Sequence, residues 1–302
     1  MPEVSVVIVC MNRPDILFPC LDSIQAHTSI PHEVLVVTYR FSVENKALLA
    51  RKYPWVKQVA SDGVRGFSEN NNLALREVQG KYCFIVNDDT LLGMPVIDCL
   101  VKDLERLPDN AAAVSPCIRF ADGRVQTCGR APWSARRYAR HYLHLVDETK
   151  PGRWSMQKGL FPTFTLNGAS FLIKTAVFKE LGWFDERFFF TPEDIALGHA
   201  LNASGYTVWA DADVSITHLA GGSVSAMEAA IKPARVRGSL LFYGEPLGLK
   251  LFISCFEVLR LAKYAFLPRT ARNVLMQKTA RNVLRTVFSR ESPKEIFIRF
   301  SA

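Results

Sequence analysis

Residues 80–90 read GKYCFIVNDDT, and this stretch decides the fold. Tyr82–Val86 is an unbroken apolar run, the pattern of a strand covered on both faces in a parallel sheet. The polar group Asn87-Asp88-Asp89-Thr90 follows at once, at the carboxyl end of that strand. In open α/β sheets, ligands bind at the carboxyl ends of the strands. Two adjacent carboxylates there are costly unless a cation neutralises them. One reading is a Mg²⁺ or Mn²⁺ site holding a diphosphate. The other is a solvated turn, since Asn and Asp are good turn formers.

The surrounding residues repeat the strand–helix rhythm. Upstream, Val4–Val9, Val34–Val37 and Val56–Ala60 read as strands. Between them, Pro14 onward and Ser42–Tyr53 read as helices, with Pro19 inside the first. Ser68 is placed to cap a helix running to Gln79 and stopped by Gly80. Downstream, Pro95–Leu107 reads as a helix and Ala112–Val114 as extended. Strands alternating with helices predict an α/β parallel sheet. Further along, Asp122-Gly123 signals a hairpin within Phe120–Gly129. Trp133–Leu145 is basic and aromatic, Phe164–Ile173 reads as a strand, and Ala176–Leu181 as a short helix. Glu193–Ser204 follows as a longer helix and Tyr206–Ala210 as a strand.

The composition fits this reading. Of 302 residues, 49% are hydrophobic and 22% charged, which excludes a disordered or collagen-like chain and suffices for one large or two small domains. The seven cysteines form no C-x-x-C pair, so they read as reduced thiols of a cytoplasmic protein and not as a disulfide frame or zinc site. The opening residues read as a strand and lack the features of a secretory signal. The most apolar segment, 247–267, is broken by Lys250, Glu257, Arg260 and Lys263, which argues against a membrane span. Charge is uneven: residues 232–302 carry 14 Lys/Arg against 4 Asp/Glu, and the rest is close to neutral. A basic tail on a neutral body suits an anionic membrane surface; nucleic acid is the competing partner, but zinc-finger, RNP and helix-turn-helix signatures are missing.

Two further places could carry chemistry. Glu193-Asp194 follows Phe188-Phe189-Phe190-Thr191-Pro192. Acids at a helix start are favoured by its dipole; alternatively, one is a carboxylate base beside an apolar wall. His218 follows a strand-like run and is either structural or a ligand shared with Asp89, where imidazole suits Mn²⁺ better than Mg²⁺. The sequence contains no G-x-G-x-x-G after a strand, no Walker A loop and no G-x-S-x-G elbow.

Taken in order, SVVIVCMNR, GFSENNNLA, GKYCFIVNDDT, LNGASFLI, GWFDERFFFTPEDIAL and a histidine before Gly-Gly-Ser resemble a family 2 glycosyltransferase of GT-A fold. The similarity covers about residues 3–225 and is nearest to the rhamnosyltransferase-like branch that builds bacterial surface polysaccharides. It implies a Rossmann-like, mostly parallel central sheet flanked by helices, with a C-terminal helical tail. The implied domains are residues 1–238 (nucleotide-sugar half 1–115, acceptor half 116–238) and a basic amphipathic tail, 239–302. It also implies roles: Asp89 and His218 for the metal, Asn87 and Asp88 near the donor ribose and diphosphate, and Asn12, Gly66 and Asn72 on the nucleotide side. Asp194 corresponds to the general base, supported by Glu193.

The resemblance therefore implies an inverting, Mg²⁺- or Mn²⁺-dependent transfer from a nucleotide-sugar donor to a lipid-linked or growing glycan. The implied location is the inner face of the bacterial plasma membrane, held peripherally. The alternative is a noncatalytic sugar-nucleotide-binding scaffold. Two positions depart from the family pattern. Thr38-Tyr39-Arg40 stands where relatives carry a base-reading aspartate, leaving room for a nucleotide other than a uridine one. Ala196 stands where relatives often carry a second carboxylate.

In the tail, Leu251, Phe252, Cys255, Phe256, Leu259 and Phe266 recur at helical spacing, and Met276, Ala280, Val283 and Val287 form a second stripe. Both read as membrane-facing, with basic residues nearby, or alternatively as faces packed on the enzyme body or a second subunit with the basic residues merely solvated. TARNVL occurs at 270–275 and again at 279–284, a half-turn offset that points the two copies to opposite faces of one helix.

Overall fold

A strand buried at every position needs a layer on each side, and β4 (Tyr82–Val86) has both. The computed structural model describes residues 1–219 and 227–301, which fall into two compact units. The first contains Met1–Pro132, Asp147–Asp185 and Asp194–Gly221; the second contains Trp133–Val146, Glu186–Glu193 and Gly222–Ala302.

The strands of the first unit are β1 (Val4–Met11), β2 (His32–Tyr39), β3 (Val56–Ser61), β4, β5 (Thr90–Leu92), β6 (Ala111–Phe120), β7 (Val125–Thr127), β8 (Leu160–Thr163), β9 (Ser170–Lys174) and β10 (Thr207–His218). They form one sheet in the order β3-β2-β1-β4-β9-β6-β10-β5, with β7 on β6 and β8 on β10. β3, β2, β1 and β4 run parallel, whereas β9 is antiparallel to both β4 and β6. The interleaved helices are α1 (Pro14–His27), α2 (Val43–Lys52), α3 (Phe67–Leu75) and α4 (Val96–Arg106).

Alternation along β1 divides the core. Val4, Val6 and Ile8 pack with Leu17, Leu21 and Ile24 of α1 and Leu100 and Leu104 of α4. Val7 faces the opposite layer, with Leu75 of α3, Phe178 and Leu201. Covering both faces explains why the strands read as continuous apolar runs.

Three sequence expectations shift. The helix expected after Ser68 begins at Phe67 with Gly66 as its cap, because the Glu69 carboxylate returns to the Gly66 N–H at 3.0 Å. It ends at Leu75, and Ser5 Oγ captures the Gln79 and Gly80 N–H groups, which a longer helix would have used. Of the strand expected over 164–173 only 170–173 is one, as part of β9, and β8 ends before that range at Thr163. Asn167 turns the chain between them by accepting from Ala169 and Ser170 N–H. β10 runs well past Ala210, with an irregularity between Asp211 and Ser215, and carries His218 to a position opposite Thr90 of β5.

Next in chain order are α5 (Ala135–Tyr142), α6 (Thr175–Glu180), α7 (Glu193–Ala203), α8 (Glu228–Phe242), α9 (Leu247–Ala265), α10 (Ala271–Val287) and α11 (Pro293–Ser301). The second unit is built on α5 and α8–α11. Val236 and Leu240 of α8 pack with Leu249 and Ile253 of α9 and with Val283 and Val287 of α10. Tyr138 and Tyr142 of α5 lie against this cluster. The division therefore differs from a tail starting at 239: that boundary would cut α8 between Val236 and Leu240, which bury themselves in the same core.

The second apolar stripe is likewise internal, since Ala280, Val283 and Val287 are fully buried. The repeat behaves as its spacing requires. Ala271 and Val274 of the first copy are exposed, whereas Ala280 and Val283 of the second are buried. All seven cysteines are free. Among the described residues no helix is long and apolar enough to cross a membrane.

Candidate active site

β4 delivers Asn87, Asp88 and Asp89 to the carboxyl edge of the sheet. The turn is fixed by Asn87, whose N–H donates to Ala169 O at 3.0 Å and whose carbonyl accepts from Thr90 Oγ1 at 2.8 Å. Asp88 lies beside Cys10 at the end of β1. Burial pushes the Asp88 carboxyl up to about 6; Cys10 opposes this by hydrogen bonding, and Asp89 adds to it by repulsion. Burial, and then Asp88, keep the Cys10 thiol protonated.

Asp89 faces His218, whose Nε2 is 3.1 Å from Asp89 Oδ1. The other ring nitrogen, Nδ1, is 2.9 Å from Gln126 Oε1. With Nδ1–H given to that carbonyl, Nε2 points at the carboxylate either as an imidazolium or with a free lone pair. A carboxylate and an imidazole nitrogen turned toward each other are a donor set that fits Mn²⁺. Among the described residues no group of three or more His, Cys, Asp or Glu side chains could hold a metal. The protein would therefore contribute two ligands and leave the remainder to phosphate oxygens and water, the habit of such ions at diphosphates. The Gly-Gly-Ser after His218 lies outside the described residues.

The other nucleotide-side candidates are positioned differently from one another. Asn12 follows β1 with φ 51°, and its Oδ1 accepts from Ser42 N–H at 3.1 Å and Asn45 Nδ2 at 2.8 Å, tying the strand end to α2. Gly66 caps α3. Asn72 is buried and spans two segments: its Nδ2 donates to Phe184 O at 2.9 Å, and its Oδ1 accepts from Phe184 N–H at 3.1 Å. Both bonds tie α3 to the backbone at Phe184.

Asp194 stands in a separate cluster at the start of α7. Its Oδ2 accepts from Arg130 Nη1 at 2.8 Å and from Gly168 N–H at 3.1 Å, and its Oδ1 from Ile195 N–H at 2.7 Å. Arg130 also pairs with Glu148 at 3.3 Å and donates to Leu166 O. Burial works against the Arg130 charge, but Asp194 and then Glu148 outweigh it and raise its pKa. The partner that holds Asp194 is thus a guanidinium, not the apolar wall that its sequence neighbours suggested. Glu193 is buried. Sequence reasoning missed Arg130 and Gln126. Neither belongs to a recognisable pattern, and the only local hint is the hairpin that carries Gln126 and ends just before Arg130.

The mostly parallel sheet, flanked by helices and ending in polar residues at its carboxyl edge, is a GT-A architecture. The chain belongs to the glycosyltransferase like family 2, whose family model matches residues 2–235. It is 27% identical over 221 residues to the O-antigen biosynthesis protein RfbC of Myxococcus xanthus, covering 72% of this chain and 17% of that protein. It is 26% identical over 204 residues to an N-acetylglucosaminyl-diphospho-decaprenol L-rhamnosyltransferase of Mycobacterium tuberculosis, covering 62% of this chain and 66% of that one. The chain thus spans less than two thirds of either relative.

Among solved structures, GalNAc-T7 with UDP, GalNAc and Mn²⁺ superposes with a TM-score of 0.59 at 13% identity, covering 96% of this chain and 56% of that one. The mannosyltransferase PcManGT of Pyrobaculum calidifontis, in complex with GDP-Man and Mn²⁺, gives 0.55 at 18% identity, covering 99% and 86%. At these identities the likeness is one of fold.

Proposed function

We propose that this protein is an inverting glycosyltransferase that uses Mg²⁺ or Mn²⁺. In this reading it moves a sugar from a nucleotide-sugar to a lipid-linked or growing glycan during bacterial surface polysaccharide synthesis. The observation that carries the reading is the His218–Asp89 pair, with His218 oriented by Gln126. Asp89 and His218 would hold the ion, which when bound supplies positive charge to offset the leaving diphosphate. Asp88, protonated more readily than an ordinary carboxyl, and Asn87 would lie along the donor.

Asp194 is the base. It accepts the proton of the acceptor hydroxyl as that oxygen attacks the anomeric carbon from the face opposite the diphosphate, and one such displacement inverts the centre. Arg130 and Gly168 N–H hold one carboxylate oxygen still, so the proton acceptor has a defined direction. The rhamnosyltransferase relative carries a diphospho-lipid in its name, which supports an acceptor of that class.

A membrane-facing element is part of this proposal. Leu247, Leu251, Val258, Leu259 and Phe266 are exposed on α9 at helical spacing, with Lys263 and Arg269 exposed close by. Such a face suits the acyl boundary of an anionic surface. The test of the catalytic reading is a screen of nucleotide-sugars with Mn²⁺ or Mg²⁺, with the product anomer assigned by NMR. Undiminished transfer in excess EDTA, or a retained anomer, would overturn it.

A further inference from the structure

In the second unit, α5, α8, α9 and α10 line a cavity of about 590 Å³ that the catalytic reading does not use. Its volume falls in the range of small-molecule sites. One part of the lining is cationic, with Lys232 and Arg235 from α8 and Arg260 from α9. Another part is apolar or aromatic, with Val236, Phe256, Tyr264 and Met276.

The charges are only partly spoken for. Glu257 is fully buried and receives Lys232 Nζ at 2.9 Å, Arg260 Nη1 at 2.8 Å and the Tyr142 hydroxyl. Burial alone would raise the Glu257 pKa, yet Lys232, Tyr142 and Arg260 together hold it low. Glu257 is therefore a carboxylate that fixes two of the three cations in place. Glu228 is the acid on the lining itself. Arg235 is different: its Nε is buried and makes no hydrogen bond within the described structure. A buried guanidinium N–H without an acceptor is costly, and Arg235 also lines the cavity.

We propose that this cavity binds a phosphoryl group, taken as the diphosphate of an amphiphilic acceptor, with Arg235 as its recognition residue. Three cations against two carboxylates leave an excess of positive charge. The guanidinium fork matches phosphate oxygens bidentately. Phe256, Tyr264 and Met276 of the same lining offer apolar surface to whatever the diphosphate is attached to. The proposal rests on the glycosyl-transfer reading for the identity of the ligand.

The experiment is calorimetry on the full chain in EDTA, which removes any metal-bridged phosphate site. Inorganic pyrophosphate, farnesyl diphosphate and farnesol are the probes. Both diphosphates are expected to bind, with Arg235→Gln weakening each about tenfold or more, as for a lost charge-assisted bond. Arg235→Lys should recover part of the loss, and thermal melting of both variants checks that they fold. Tighter binding of farnesyl diphosphate than of pyrophosphate identifies a lipid-linked ligand; equal binding identifies a free diphosphate and overturns the acceptor assignment. No binding of either diphosphate, or binding indifferent to Arg235→Gln, overturns the site. A parallel titration of UDP, GDP and dTDP with Mn²⁺ tests the catalytic reading by itself, so the two can fail separately.

Discussion

Nε2 of His218 lies 3.1 Å from Asp89 Oδ1, although 129 residues separate the two in the chain. Strand β5, which follows Asp89 directly, pairs antiparallel with the end of β10, and His218 comes opposite Thr90. The sheet therefore sets this approach, and Gln126 sets the orientation of the ring. Replacing Gln126 with Leu should leave the fold intact and weaken Mn²⁺ binding by about 10–100-fold, the usual effect of losing a group that orients a metal-bound histidine. Mn²⁺ titration followed by electron paramagnetic resonance checks this, and unchanged affinity would remove Gln126 and His218 from the metal reading.

Asp194→Asn should lower transfer by about 10²–10⁴-fold, as for the loss of a general base, while donor binding persists. Single-turnover kinetics alongside nucleotide titration separates the two. Near-normal turnover would make Asp194 a purely structural partner of Arg130.

Arg130→Met should destabilise the first unit by about 3–5 kcal/mol, because it leaves the carboxylates of Asp194 and Glu148 partly buried without their cation. Adding Asp194→Asn to that variant should restore part of the loss. Urea denaturation of the single and double variants measures the coupling, and strict additivity would show that the ion pair contributes nothing.

Asp103 of α4 is nearly inaccessible, and Asp211 of β10 lies close enough to interact with it. Burial, and then Asp211, push the Asp103 carboxyl up to about 7, with Arg106 opposing. The folded state therefore holds a proton that the unfolded chain releases near the ordinary carboxylate value. Stability from this group is complete at low pH and is lost as pH rises through about 7, at up to about 1.4 kcal/mol per pH unit. Asp103→Asn should flatten that decline between pH 5 and 8 in chemical denaturation. A wild-type protein whose stability does not fall over this interval would contradict the assignment.

Replacing Leu251, Leu259 and Phe266 together with Asp should abolish flotation of the full chain with anionic vesicles at low salt. All three are exposed, so folding should be spared. Point variants are preferable to truncation at 238, since α9 and α10 contribute Leu249, Ile253, Val283 and Val287 to the core of their unit. Equal flotation of both proteins would show that α9 does not face the bilayer.

Local pattern was enough to read most of the first unit. Apolar runs such as Tyr82–Val86, and Val4–Val9 with only Ser5 interrupting it, report their double coverage, and the polar Asn87-Asp88-Asp89 marks the strand end because charge cannot stay inside the sheet. The acidic start of α7 and His218 were visible for the same reason. What the sequence could not supply were relationships formed at long separation. Gln126 meets His218 across 92 positions and Arg130 meets Asp194 across 64, and nothing in either residue's neighbourhood encodes its partner. Periodicity also cannot tell which partner an apolar stripe meets. The α9 residues Leu251 and Leu259 are exposed, whereas Val283 and Val287 of α10 are buried among α8 and α9. Asn72 reads as a polar site residue, yet packing turns its amide onto the backbone of Phe184. Chain chemistry set which segments become strands, helices and polar strand ends; only tertiary packing decided which side chains meet, because burial and hydrogen-bond partners are properties of the assembled layers.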